Sequence, residues 1–280
     1  MNPLPETTID RLIERYDVLL FDAYGVLVHT SGAMPGAADV IERLNQVKKP
    51  YFLLTNDASK LPETAARRYQ GYGLAIAPER ILASGALLTG YFENHNLKGA
   101  SCVVLGPEDS LQYVRRAGGR IVSAEDDFDV LVVADEAGYP FIETVDAVLT
   151  SLCGAIDHQR KVHLILPNPD LVYPKAGQGH GFAAGSIAGL FEAILNQRHP
   201  DRTDLRFIRL GKPEKHLFEE AFSRIRTRNM VMIGDQLATD IQGARQVGID
   251  AVWIQTGVTT GAFAHIPEHM IPTCWMQSLH

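Results

Sequence analysis

Cysteine is scarce in this chain, and basic residues are outnumbered by acidic ones. The three cysteines, Cys102, Cys153 and Cys274, are odd in number, widely spaced and form no C-x-x-C. That argues against a disulfide framework and for free thiols in a reducing compartment. Lysine and arginine total 26 against 33 aspartates and glutamates, a formal charge of -7. A sequence-independent nucleic-acid binder needs a basic face, so that class is disfavoured. An anionic ligand can still be held by a local site of metal, lysine and backbone amides. No apolar run approaches the roughly 20 residues that cross a bilayer. The opening Met1-Asn2-Pro3-Leu4-Pro5-Glu6 lacks the regions of a signal peptide. No H-E-x-x-H occurs, and between His265 and His269 stands Pro267, which breaks the helix that would align them. No zinc site is expected. There is no low-complexity tract and no internal repeat. The expectation is a soluble, cytoplasmic protein with neither a membrane nor a nucleic-acid partner.

What is present has the pattern of an α/β enzyme. At 280 residues the chain has room for one large or two modest domains. The stretch Asp17-Val18-Leu19-Leu20-Phe21-Asp22-Ala23-Tyr24-Gly25 starts as an apolar run short enough for a strand buried on both faces. It ends in a carboxylate, which places Asp22 where open α/β sheets bind ligands. An Asp there can be a nucleophile, a metal ligand or simply a turn cap. Apolar runs at Tyr51–Leu54, Met230–Ile233 and Ala251–Ile254 read as further core strands. Between them, strands at 101–106, 129–134 and 162–166 alternate with helices and form an α/β module of their own. The expected architecture is a Rossmann-like parallel sheet core, residues 1–83 and 179–280, with an inserted α/β cap at 84–178.

Three carboxylates after two strands, with one lysine, fit a single scheme. Asp22, Asp235 and Asp240 would hold Mg²⁺, which takes octahedral oxygen ligands and keeps waters for a phosphate. The main-chain carbonyl of Tyr24 would complete the protein's share. Asp22 has a second oxygen for in-line attack, and Lys212 would add positive charge to the phosphoryl oxygens. Thr55 and Asn56, at the next strand end, could donate hydrogen bonds to the same oxygens.

These segments resemble the haloacid dehalogenase-like superfamily of hydrolases. The resemblance runs from about Tyr16 to Gly261. It puts Asp22 on the nucleophile, Thr55 on the phosphate-binding hydroxyl, Lys212 on the active-site lysine, and Asp235 with Asp240 on the acidic metal pair. The inserted module, together with Asn168-Pro169-Asp170, Gly211-Lys212-Pro213 and Thr256-Gly257-Val258-Thr259, is similar to the class IIA branch. That branch includes nitrophenyl-phosphatase-like, sugar-phosphate and nucleotide phosphatases. It implies a Mg²⁺-dependent phosphatase acting on a small phosphorylated metabolite through an aspartyl-phosphate on Asp22, and a homodimer through the cap.

One position departs from the pattern. These phosphatases usually carry a second Asp two residues after the nucleophile, and here that residue is Tyr24. The haloacid dehalogenases have a similar Asp-x-Tyr-Gly start, because a halide leaves without a proton. A hydrolytic dehalogenase and a non-catalytic phosphate-binding protein therefore stay open as alternatives. Asn168 and Asp170 fit either substrate contacts or a plain turn. Asp57 is expected as a helix N-cap, and Gly177, Gly179 and Gly181 as a flexible hinge rather than a dinucleotide loop.

Overall fold

A computed structural model describes residues 4–175, 179–257 and 266–280. Gly177, Val258, Thr259 and His265 lie outside these residues. Strand Val18–Phe21 is buried at every position. It lies between Met230–Gly234 and Tyr51–Thr55 in a six-stranded parallel sheet. Asp250–Ile254 and Cys274–Met276 extend one side, and Ile81–Ala83 ends the other. Alternation along each strand explains the continuous apolar runs. Leu19, Phe21, Leu53 and Ile233 face one core with the helices Ala37–Gln46 and Pro62–Gly71. Leu20, Leu54, Met232 and Trp253 face another with helix His216–Ile225. Strand side chains point alternately to the two faces, so covering both demands apolar residues throughout.

The chain runs outward from Val18–Phe21 in one direction and from Met230–Gly234 in the other, so the strand order reverses between these two neighbours. Such a reversal opens a crevice at the carboxyl ends of the strands. Asp22 and Asp235 follow the two strands that flank it.

A second sheet of five parallel strands contains Ser101–Leu105, Arg120–Ile121, Val130–Val133, His163–Leu166 and Ile208–Arg209. The last of these corrects the expected boundary at 178/179. Helix Ala184–Arg198 packs Ile187, Phe191 and Leu195 with Leu131, Val133 and Leu164 of this second sheet. The sequence between 179 and 209 therefore packs with the inserted module. Its apolar face fits that sheet beside helix Phe141–Asp157, whose Val145, Val148 and Leu152 pack in the same cluster.

The Gly-rich stretch also differs from a free hinge. Val172–Pro174 and His180–Phe182 pair as antiparallel strands. Tyr173 lies so close over Gly181 that a Cβ there would meet its ring at 2.4 Å. The inserted module is fastened to the core by helix Glu108–Arg116. Ser110 Oγ donates to the Ala58 carbonyl at 2.8 Å, and the Tyr113 hydroxyl donates to that of Lys60 at 2.7 Å. The Leu61 amide donates to Asp109 at 2.9 Å. The three cysteines are free. Among the described residues no helix is long and apolar enough to cross a membrane.

Candidate active site

Four separate segments converge on Lys212. The residue is 1 % exposed, and its Nζ donates to Asp22 Oδ1 and to Asp240 Oδ1, each at 2.6 Å. Asp240 reaches this point through a wide helical turn, Leu237–Ile241, in which the Ile241 amide reaches back to the Gln236 carbonyl. Such five-residue turns recur at functional sites because they re-aim one side chain. The Gln236 amide donates to the other oxygen of Asp240 at 3.1 Å. Oxygens of Asp22, Asp235 and Asp240 lie within 4.8 Å of one another, and all three residues are buried.

Asp235 is surrounded by glycine. A Cβ on Gly25 would meet its carboxylate at 2.5 Å, and one on Gly257 at 1.9 Å. Gly25 also has a φ of +83°, which strains other residues. The backbone thus leaves a cradle that only the carboxylate fills. Three buried carboxylates beside one ammonium form a hard, all-oxygen donor set. That chemistry fits Mg²⁺ and disfavours zinc or copper. Burial pushes the Asp22 carboxyl up to about 7, Lys212 pulls against it, and Asp240 adds to the rise. The two anions flanking Lys212 outweigh its own burial, so the ammonium stays charged.

Asn56 acts differently from the expected phosphate donor. Its Oδ1 accepts from the Lys212 amide at 2.7 Å. Its Nδ2 donates to the Lys212 carbonyl at 3.0 Å and to Asp170 at 2.9 Å. Both amide hydrogens are thereby engaged, and Asn56 clamps the backbone that carries the lysine. Thr55 Oγ accepts from the Asp57 amide at 3.1 Å, which leaves its hydroxyl hydrogen for a ligand. Asn168 closes a turn by accepting from the Asp170 amide at 3.1 Å. That turn delivers Asp170 to the cavity, where burial pushes its carboxyl up to about 6 against the pull of Lys212. Asn168 and Asp170 thus make a turn and line the cavity at once.

Asp57 is not a helix N-cap. The cap position of helix Pro62–Gly71 is Leu61, without a side-chain cap bond. Asp57 instead accepts from the Ser59 amide at 2.8 Å and pairs with Lys60 at 3.0 Å. A four-residue gap before Pro62 is too long for capping and suits a local turn. Tyr24 lines the cavity, and the Arg68 guanidinium lies 5.8 Å from its ring centroid. Burial, then Asp57, raises the Tyr24 phenol, so it remains protonated at neutral pH.

The cavity above Asp22 has a volume of about 200 Å³. The inserted module contributes Asp135 and Glu136, which sequence reasoning missed. They follow strand Val130–Val133 as Asp22 follows its own, so the same strand-end rule could have found them. Lys60 was missed as well; nothing in its spacing marks it.

Lys212→Met should cost about 3–5 kcal/mol in metal-free protein, because it leaves two buried carboxylates facing each other. Denaturant unfolding in EDTA measures this, and a loss below about 1 kcal/mol would contradict the bridging role. Burial, then Asp135, pushes the Glu136 carboxyl up to about 7. The folded protein keeps that proton where the unfolded chain, with a value near about 4.3, has lost it. This contribution disappears as pH rises from about 4 to about 7. Glu136→Gln should therefore raise stability near about pH 8 by on the order of 1 kcal/mol, scaled down for solvent around a partly exposed group. Near about pH 4 it should change little. An equal gain at both values would remove the charge as the cause.

Comparison with known proteins bears on the fold and the family. Residues 19–120 match the family model described as haloacid dehalogenase-like hydrolase. Residues 209–274 match a second model of haloacid dehalogenase-like hydrolases. A dihydroxyacetone phosphatase of Corynebacterium glutamicum is 27% identical over 91% of this chain and 90% of its own. The solved structure of a possible sugar phosphatase from Cytophaga hutchinsonii is 27% identical, covers 99% of this chain and 98% of its own, and superposes with a TM-score of 0.84. A glycerol phosphate phosphatase from Mycobacterium tuberculosis, solved in complex with magnesium, shares the fold at a TM-score of 0.77. It is 22% identical over 96% of this chain and 77% of its own. The parallel core and second sheet of this chain, with matches to haloacid dehalogenase-like models at both ends, place it among the haloacid dehalogenase-like hydrolases.

Proposed function

We propose that this protein hydrolyses a small phosphate monoester through an aspartyl-phosphate on Asp22. The observation that carries this is the Lys212 ammonium held 2.6 Å from both Asp22 and Asp240, below a cavity of about 200 Å³. That volume is below the roughly 300–1,000 Å³ of pockets for drug-sized ligands, which favours a small substrate. Relatives named for dihydroxyacetone phosphate and sugar phosphates support the same class.

Asp22 would attack phosphorus in line and form the acyl phosphate, while the alcohol oxygen leaves. Water would then attack the same phosphorus and restore the carboxylate. Lys212 holds the attacking carboxylate in place and supplies charge to the phosphoryl oxygens. Thr55 would donate its hydroxyl hydrogen to one of them. Asp22, Asp235, Asp240 and the Tyr24 carbonyl would hold Mg²⁺, which when bound neutralises charge between the carboxylates and the phosphate. Tyr24, protonated, can donate a hydrogen bond toward the leaving oxygen but is a weaker acid than a carboxyl.

The experiment is phosphate release and halide release measured over a broad panel, with Mg²⁺ and with EDTA. Phosphate release that EDTA abolishes is the expected result. Halide release insensitive to EDTA would favour the dehalogenase alternative instead. Binding of Mg²⁺ without either release would leave a non-catalytic protein.

A further inference from the structure

The lining of the cavity has an unusual charge. Asp22, Asp57, Asp135, Glu136 and Asp170 line the cavity, with Lys60 as the one lysine and no arginine. Lys60 is spent on Asp57 at 3.0 Å. Among the described residues no cation lies within ion-pair distance of Asp135 or Glu136. We propose that Asp135 and Glu136 make this cavity selective for phosphate monoesters whose alcohol carries no second negative charge, with neutral polyols and ketotrioses as the class. The inference rests on the phosphatase reading of the site.

Charge and hydrogen-bonding capacity set this selectivity. Above about pH 7 a second phosphate or a carboxylate on the substrate would meet two carboxylates, and the nearest lysine, Lys60, is paired with Asp57. Like charges brought together across a binding site reject the wrong partner strongly. A hydroxyl in the same place donates to a carboxylate oxygen. Asp135 accepts from the Ala137 amide at 3.0 Å and from the Ser59 side chain, and its carboxylate has lone pairs left for such a donor. Val172 and Tyr173, from the paired strands of the inserted module, close the side of the cavity with carbon. The local field already shows in the carboxyls themselves: Asp135 is raised by burial and by Asp57, and Glu136 by burial and by Asp135. The catalytic carboxylates do not relieve this field, since Lys212 is taken up between Asp22 and Asp240.

The test compares kcat/KM for glycerol phosphate and for phosphoglycerate, in which a carboxylate replaces the terminal hydroxymethyl group. Wild-type protein should prefer glycerol phosphate by at least about 10-fold. The pair Asp135→Asn with Glu136→Gln should bring the two substrates within about 3-fold, and Glu136→Lys should reverse the preference. The ratio is taken within each variant, so a loss common to both substrates cancels. Glu136→Gln alone should move the ratio in the same direction, which covers the case of a double variant that does not fold. Equal use of both substrates by wild type, or a preference unmoved in every variant, overturns the inference while leaving the phosphatase reading intact. If neither substrate nor nitrophenyl phosphate releases phosphate, the phosphatase reading fails and the inference falls with it.

Discussion

Asp22→Asn is expected to lower kcat by at least about 10⁴-fold while leaving the protein folded. The amide has no charged oxygen to attack phosphorus, and no other carboxylate stands in the same place. Asp235 and Asp240 follow a neighbouring strand, and Asp240 is already held by Lys212 and the Gln236 amide. Folding should survive for an electrostatic reason. Burial raises the Asp22 carboxyl to about 7, so in metal-free protein its charged form is a burden that grows as pH rises through this range. Asn removes the charge and keeps the shape, and Lys212 retains Asp240 as a partner. Unfolding measured beside kinetics therefore separates a lost nucleophile from a lost fold. Residual kcat within about 10-fold of wild type would take Asp22 out of the chemistry.

The second large effect concerns Tyr24. Without a carboxylate to protonate it, the leaving oxygen departs nearly as an anion. Nitrophenyl and acyl phosphates should then turn over much faster than alkyl or sugar phosphates. Tyr24→Asp should rescue the poor leaving groups, within the roughly 10²–10⁴-fold that general acid catalysis supplies. The gain should fall near the lower end, about 10²-fold, because Arg68 and Lys60 lie close to the phenol and would hold a new carboxylate ionised. The cavity left by the ring works in the same direction. A series of substrates graded by leaving-group pKa, run on wild type and variant, measures this. Equal wild-type rates across the series would mean another group is the acid. Asp170, raised to about 6 and lining the cavity, would then be the first to replace.

The central strand shows how far the sequence could be read. Val18–Phe21 is buried on both faces, and an apolar run of that length permits little else in an α/β chain. Asp22 and Asp235 were legible because strand ends at a reversal of strand order must point into the crevice. The Lys212 contact was legible only as a charge match, since its distance depends on the Asn56 clamp, which joins residues 156 positions apart. Asn56 itself was misread: a strand-end amide looks the same whether it faces substrate or backbone. The end of the inserted module was misplaced because helix Ala184–Arg198 is apolar enough for either sheet. That helix's packing against the second sheet and the pairing of Ile208–Arg209 with His163–Leu166 decide it. Asp135 and Glu136 follow a strand too, but that strand belongs to the inserted module, and only the tertiary fold brings its end to the cavity. Asp57 and Lys60 depend on a turn fastened from the module by Ser110 and Tyr113, a tertiary effect with no local signal.

The central claim is covalent chemistry on Asp22, and trapping tests it most directly. Protein turning over nitrophenyl phosphate with Mg²⁺ would be quenched with borohydride, which reduces an acyl phosphate to the alcohol, and then digested for mass spectrometry. The account predicts homoserine at position 22, in substrate-dependent yield, and at none of the other aspartates. Steady phosphate release with an unmodified Asp22, or reduction at Asp235 or Asp240 instead, would contradict it.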